Sequence, residues 1–427
     1  MTPTSEAACL LRSGAMYPGR VGLLGKTGEV VFAGIKPGGF SLYFGDAPIY
    51  HLDFEGRWQR AFVGSVHYLK GLDATVRAVD RVREGGSLIL RRRTLDPAEA
   101  VDLDATIRRA AVGLIGDLEA ARAEILVPPP TARAIGSEEL RELLGRVAAW
   151  DAAAWEAHRA RYEESYEPWP LLPPDCPNPV VLQATLGPGF GGGGPPTSRV
   201  RPPAEFAEHA QAVARLLGRR LGQCRDLFVA GGDWLRRPLV ELVDALGVID
   251  RTFPDPARPG GPESGRSHVV HAFLDDFRPP LPGLDGWRRL RASRLGRITL
   301  GIESGDPAVR GLFGKSWEER DLHSTVEAIK AAGIGLGLMV LVGAGGRSGA
   351  GAHLDATARL VGSLGLGAGD LVALVDDRGL GTPAVAGKAL SDDEAAGWSD
   401  DLKRRLASAG PSNRPRVVAY NPAKQWA

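Results

Sequence analysis

Cysteine is scarce, with three in 427 residues at positions 9, 176 and 224. Thiols this few and this far apart exclude a disulfide scaffold and any CxxC zinc module. Long hydrophobic runs are missing too. The longest, residues 334–344, falls far short of the roughly 18–20 apolar residues that cross a bilayer. The opening MTPTSEAACLLRSGA has no basic segment followed by a sustained apolar core, so no signal peptide is expected and the location expected is cytoplasmic. Neither sign of charge dominates. Lys and Arg number 52 against 51 Asp and Glu, which leaves no electrostatic footprint for nucleic acid or an acidic membrane among the partners.

The composition that remains is that of a folded soluble chain, 44% hydrophobic and 24% charged. Its 56 glycines and 32 prolines are many, but fewer than a disordered composition carries. At roughly 150 residues per domain the length allows two or three domains, or one large α/β domain with an appendage.

Residues 1–100 carry short β-type runs at 29–32, 39–44, 49–54 and 87–92, with GDAP at 45–48 as a turn, and predict a small antiparallel module. Residues 101–167 predict a helical connector with helices over 103–125 and 137–162, the second opening at Ser137 as N-cap. The proline-rich PWPLLPPDCPNP, 168–179, cannot be helix and marks a domain boundary.

Beyond it the pattern alternates. Apolar strands at 180–185, 227–230, 269–273, 298–302, 335–342 and 371–375 are each followed by an amphipathic helix, and a strand-like run ends the chain at 416–420. Six βα units predict an α/β core over 178–380, with a C-terminal helix and strand over 381–427. The sheet is parallel, either doubly wound or a barrel. In both, chemistry belongs after the carboxyl ends of the strands.

Those ends carry the candidates. GPGFGGGGPP, 187–196, lacks the GxxxxGK[ST] phosphate loop, and its prolines remove donors, which favours a loop without function. AGGDW, 230–234, allows close backbone approach at Gly231 and Gly232, while Asp233 offers an acceptor or a helix cap. In GIESGDP, 301–307, Glu303 is placed to point into the barrel mouth, where a carboxylate suits ribose hydroxyls or general-base work, or simply holds the loop. VGAGG, 342–346, lines an adenine face or makes a turn. His353 is catalytic or, more commonly for a lone histidine, structural. Asp376 and Asp377 form a carboxylate pair without an assigned role, and Arg288, Arg289, Arg291 and Arg294 read as a solvated basic face.

Residues 297–346, RITLGIESGDPAVRGLFGKSWEERDLHSTVEAIKAAGIGLGLMVLVGAGG, resemble the second half of the radical S-adenosylmethionine (radical SAM) core, in the branch with Elp3- and MiaB-type enzymes. The shared features are a GxES strand end, a Gly-Lys pair before a helix, an AAGI turn and a GxGG strand end. AGGDW falls at the family's GGE-like motif, LQATLGPGF at its cluster loop, and GDLVALVDDRG at its sixth strand. The resemblance covers about residues 178–377 and implies a partial (β/α)6 TIM-like barrel behind the N-terminal β module and helical connector. It implies that Gly231, Gly232 and Asp233 contact the methionyl amino group of SAM, that Glu303 and Ser304 contact its ribose, and that Val342 and Gly343 line its adenine.

One departure decides the functional reading. The family holds a [4Fe–4S] cluster through three cysteines spaced CxxxxCxxC after the first strand. Here those positions are Pro188, Gly193 and Pro196, which have no ligand atom. The expectation is a pseudoenzyme of radical SAM fold with a degenerate iron–sulfur site that binds SAM or adenosine weakly. The alternatives are a catalytic radical SAM enzyme whose cluster loop is misread or replaced, acting on a small molecule or protein the sequence does not specify, and a non-catalytic interaction scaffold.

Overall fold

The computed structural model describes residues 20–26, 29–36, 38–84, 87–126, 133–167, 171–187, 199–231, 234–255, 268–376, 389–407 and 414–421. The chain forms two compact units. One runs through Ser165 and includes Arg215–Gln223. The other comprises Tyr166–Ala214 and the chain from Cys224 onward. No described helix is long and apolar enough to cross a membrane.

The first unit is a meander. Strands β1 (Arg20–Lys26), β2 (Glu29–Lys36), β3 (Gly39–Phe44), β4 (Ile49–Asp53), β5 (Trp58–Val63), β6 (Val66–Lys70), β7 (Val76–Glu84) and β8 (Ser87–Thr94) each pair with the next in antiparallel order. Four of these were not expected from sequence. In β7, VRAVDRVRE, charged residues interrupt the apolar pattern, yet Val76 and Ala78 are buried on one face. Helix α1 (Pro97–Glu119) starts six residues before the expected 103. Asp96 accepts from Glu99 N, and the Glu99 carboxylate accepts from Asp96 N, a reciprocal cap with proline in the first turn. It also ends early. The chain turns through Ala121 at φ +51°, and β9 (Ala123–Leu126) then pairs with β1. β10 (Arg133–Ala134) pairs with β1 as well. The helix expected over 137–162 is two, α2 (Ser137–Ala148) and α3 (Ala152–Ser165). Asp151 Oδ1 accepts from Ala154 N at the break, and α2 is capped at Gly136 rather than Ser137. Phe40, Leu42, Tyr50 and Trp58 of the sheet pack with Ile107 and Ala111 of α1 and Leu140 and Leu144 of α2.

The second unit is the α/β core. Strands β11 (Val180–Gln183), β14 (Leu227–Ala230), β15 (Val270–Leu274), β16 (Leu295–Glu303), β17 (Gly335–Val342), β18 (Leu371–Asp376) and β19 (Arg416–Tyr420) pair in that order, every pair parallel. A short hairpin, β12 (Thr185–Leu186) with β13 (Arg199–Val200), follows the first of them. The helices are α4 (Pro203–Leu217), α5 (Leu239–Thr252), α6 (Leu284–Ala292), α7 (Pro307–Leu312), α8 (Glu319–Ala331), α9 (Gly346–Ser363) and α10 (Asp392–Ala407). A doubly wound sheet reverses its strand order at a switch point. This order never reverses, so right-handed crossovers put the helices on one face, as in a barrel. The strand-like run expected after the six βα units is the seventh strand of the same sheet.

The two faces differ as that arrangement requires. Register partners share a face, and one face is apolar throughout: Val180, Leu182, Leu227, Val229, Ala272, Ile298, Leu300, Leu336 and Leu338. The opposite face carries Gln183, His271, Arg297 and Thr299, with Gly335 and Gly337 beside the last two. A Cβ on Gly337 would lie 3.0 Å from Thr299 Oγ1, so glycine leaves room for the polar interior.

Candidate functional site

The fourth core strand β16 ends irregularly. Its register with β17 shifts between Gly301 and Glu303, and Glu303 takes φ +54°. A left-handed backbone is strained for a glutamate by roughly 1–2 kcal/mol, and such strain gathers where a side chain must be aimed. The bulge brings Glu303 against Lys315. Lys315 Nζ lies 3.0 Å from Glu303 Oε2, with the two side chains 10% and 4% exposed. The same ammonium donates to the carbonyls of Gly301 (2.9 Å) and Asp275 (3.1 Å), and Asp275 Oδ1 stands 3.7 Å away. Lys315 therefore ties the ends of β15 and β16 together. Burial raises the Glu303 carboxyl above its ordinary range against the pull of Lys315. Burial acts the other way on Lys315, but the carboxylates of Glu303 and Asp275 override it and hold its proton firmly.

The rest of GIESGDP is occupied by the fold. Ser304 is fully buried, and its Oγ lies 2.7 Å from His353 Nδ1 and accepts from Asp306 N at 2.9 Å. His353 Nε2 is 2.8 Å from the Leu341 carbonyl and so donates there, which leaves Nδ1 to accept the serine proton. Its ring stacks on Trp398, 4.7 Å between centroids. Gly305 N donates to Thr357 Oγ1, and a Cβ on Gly305 would come 2.3 Å from the Ala356 carbonyl oxygen. Asp306 caps α7 through Ala308 N. Ser304 and His353 are thus a clamp fixing the strand-end loop to α9, which begins at Gly346.

The other candidates lie at the same, carboxyl end of the sheet. Gly231 follows β14 at φ +115°, and a Cβ there would lie 2.5 Å from the Thr185 side chain. Val342 is the buried last residue of β17, and Gly343 follows at φ +88°. Asp376 ends β18 opposite Val342. Gly232, Asp233, Asp377, the glycine-rich loop and the positions Pro188, Gly193 and Pro196 lie outside the described residues. The basic face divides. Arg288 pairs with Asp285, and Arg291 reaches the Gly333 carbonyl, both exposed. Arg294 is buried at φ +77° and bonds to Asp250 and the Phe253 and His268 carbonyls, because the helix ends at Ala292 and the chain turns inward there.

The donor set does not fit the family's cluster. Pro188, Gly193 and Pro196 offer no thiolate. The described cysteines sit at the wrong end: Cys176 precedes β11 and Cys224 precedes β14, both before the amino ends of their strands. A four-residue strand spans roughly 13 Å, so neither thiol reaches the end that holds Glu303. Sequence reasoning did not single out Lys315 or Asp275. The only signals were a Gly-Lys pair twelve residues beyond Glu303 and two acids, Asp275 and Asp276, directly after the third core strand.

No family model matches the chain, and no curated protein matches it. Among solved structures it is similar to coproporphyrinogen III oxidase (HemN) from Escherichia coli, described as a radical SAM enzyme, at 12% identity over 63% of this chain and 59% of that one, TM-score 0.40. It is also similar to HydG, a maturase of the [FeFe]-hydrogenase, at 16% identity over 73% and 64% of the two chains, TM-score 0.33. A third is Elp3 from the archaeon Methanocaldococcus infernus, at 12% identity over 57% and 56%, TM-score 0.33. The alignment spans about three fifths of the length of the E. coli oxidase.

Proposed function

We propose that this chain is a radical SAM-fold pseudoenzyme. Its barrel mouth takes the adenosine half of SAM weakly and carries out no reductive cleavage. The observation that carries the reading is the strained, buried Glu303 at the end of the fourth strand, on the strand-end motif that resembles the family's ribose contact. Glu303 accepts from the ribose hydroxyls while Lys315 holds its charge, Val342 and Gly343 form the adenine shelf, and Gly231, with Gly232 and Asp233, approaches the methionyl amino group. Ser304 contributes by fixing the loop. The methionine half of SAM loses its main anchor, since no open iron is held beside it. Each 1.4 kcal/mol lost in this way weakens binding tenfold.

Calorimetry with SAM and with adenosine, together with a dithionite cleavage assay, tests the reading. Weak binding to both ligands, lost in Glu303→Ala and in the charge-balanced Glu303→Ala/Lys315→Met, is the expected result, with no 5′-deoxyadenosine formed. Tight SAM binding that ignores Glu303→Ala removes Glu303 from the site. Release of 5′-deoxyadenosine replaces the pseudoenzyme with the catalytic alternative.

A further inference from the structure

At the opposite, amino-terminal end of the sheet three metal-ligating side chains of different chemistry converge. Cys176 lies in the segment leading into β11, Asp226 immediately precedes β14, and His271 is the second residue of β15. All three are buried, and a thiol sulfur, a carboxylate oxygen and an imidazole nitrogen lie within 4.8 Å of one another. We propose that Cys176, Asp226 and His271 supply three ligands to a borderline-soft divalent cation of the zinc type, with water in the fourth tetrahedral position, and that the ion staples the linker to the second and third core strands.

The separations suit such an ion. Bond lengths of roughly 2.0–2.3 Å place tetrahedral ligand atoms about 3.3–3.8 Å apart. His271 Nε2 and Asp226 Oδ2 are 4.0 Å apart, so closing on a metal needs shifts of less than about 1 Å. The positions are already fixed by backbone. Asp226 Oδ1 accepts from Val269 N (3.1 Å), Cys176 N donates to the Pro173 carbonyl (3.2 Å), and Phe228, two residues beyond Asp226, is register partner to His271.

A second observation points the same way. Asp175 Oδ1 is buried without a hydrogen-bond partner among the described residues and lies 4.0 Å from His271 Nδ1. A metal on Nε2 leaves the proton on Nδ1, and a carboxylate facing that nitrogen is the orienting partner that metal-bound histidines have. Arg297 pairs with the other oxygen of Asp175. The charges then cancel: a thiolate and the Asp226 carboxylate neutralise a divalent ion, and Arg297 neutralises Asp175. The thiolate, imidazole and carboxylate set selects zinc-like ions over magnesium or calcium, which want oxygen alone.

The test uses the full chain carrying Cys9→Ser and Cys224→Ser, stripped with chelator and titrated with cobalt(II). The expected result is one equivalent bound, a thiolate-to-cobalt charge-transfer band, displacement by zinc and a higher melting temperature. Cys176→Ser should abolish the band, and Asp175→Asn should keep it while weakening affinity about 10–100-fold. Absence of a charge-transfer band in the parent, or its survival in Cys176→Ser, overturns the proposal. Because Asp175→Asn preserves shape, its unchanged affinity would remove the orienting role even if Cys176→Ser failed to fold.

Discussion

Lys315 Nζ and Glu303 Oε2 face each other at 3.0 Å where neither side chain meets much water. A buried pair adds little compared with a well-packed apolar pair, but removing one partner strands a charge and destabilises by about 3–5 kcal/mol. Lys315→Met should therefore lower unfolding free energy by about that amount, because Asp275 and Glu303 are both left without their cation. Glu303→Gln/Lys315→Met should recover most of the loss. Urea denaturation of the four proteins in a double-mutant cycle measures the coupling. A coupling near zero would mean that the pair is solvated and that the strained backbone at Glu303 needs another explanation.

Ser304 and His353 make the opposite case, a motif residue spent on the fold. Ser304→Ala removes an acceptor from the Asp306 amide and a donor from His353 Nδ1, both buried. The expected loss is about 1–3 kcal/mol in stability, with adenosine and SAM affinity unchanged. Calorimetry beside denaturation separates the two. Weakened binding at unaltered stability would return the hydroxyl to the ligand site.

What could be read in the sequence follows from how local each signal is. β14, β17 and β19 run over the expected residues because short apolar runs bounded by turns signal themselves locally. The strictly sequential strand order was not legible in composition or periodicity alone; the resemblance implied it through the partial (β/α)6 barrel, and the sheet follows that order. A barrel and a doubly wound sheet share one βα pattern, and only pairing between distant strands distinguishes them. The extra meander strands were hidden because strands such as VHYLK and VRAVDRVRE gain their stability from neighbours in the sheet rather than from composition. Glu303 was legible as a strand-end carboxylate. Its burial was not, since that depends on Lys315, a lone lysine on the far side of α7. The convergence of Cys176, Asp226 and His271 was invisible for the same reason: each sits at the start of a different element, nearly fifty residues from the next.

His158 makes the first unit sensitive to acid. It is buried beside Trp150 and Trp155, and its Nε2 donates to the Leu72 carbonyl at 2.8 Å. Burial, reinforced by Arg57, lowers its pKa to about 4. The folded value lies below the unfolded one of about 6.5, so the fold favours the neutral ring. Its contribution is complete above about pH 6.5 and is lost as pH falls toward 4, on the order of 3 kcal/mol in all. His158→Gln keeps a donor for Leu72 and removes the titration. Melting temperature followed from pH 7 to 4 should fall less steeply in the variant than in wild type. Parallel curves would assign the acid sensitivity elsewhere, with His51, also lowered to about 4 by burial, the next residue to change.

Iron distinguishes a degenerate site from a displaced one. A four-iron cluster of the radical SAM type needs three thiolates on one loop, with the fourth iron open. This chain has three cysteines in all, and the two described ones precede strands at the amino-terminal end of the sheet, away from Glu303. Cys176 is buried beside Asp226 and His271, a group that supplies one thiolate where a cluster of this type needs three. Anaerobic reconstitution with iron and sulfide should therefore yield a colourless protein without the broad absorption of a cluster. Any iron retained should be a single ion, lost in Cys176→Ser and displaced by zinc. A brown protein with about four irons and as many sulfides, insensitive to zinc, would require Cys9, Cys176 and Cys224 to meet at one site and would reinstate radical chemistry for this fold.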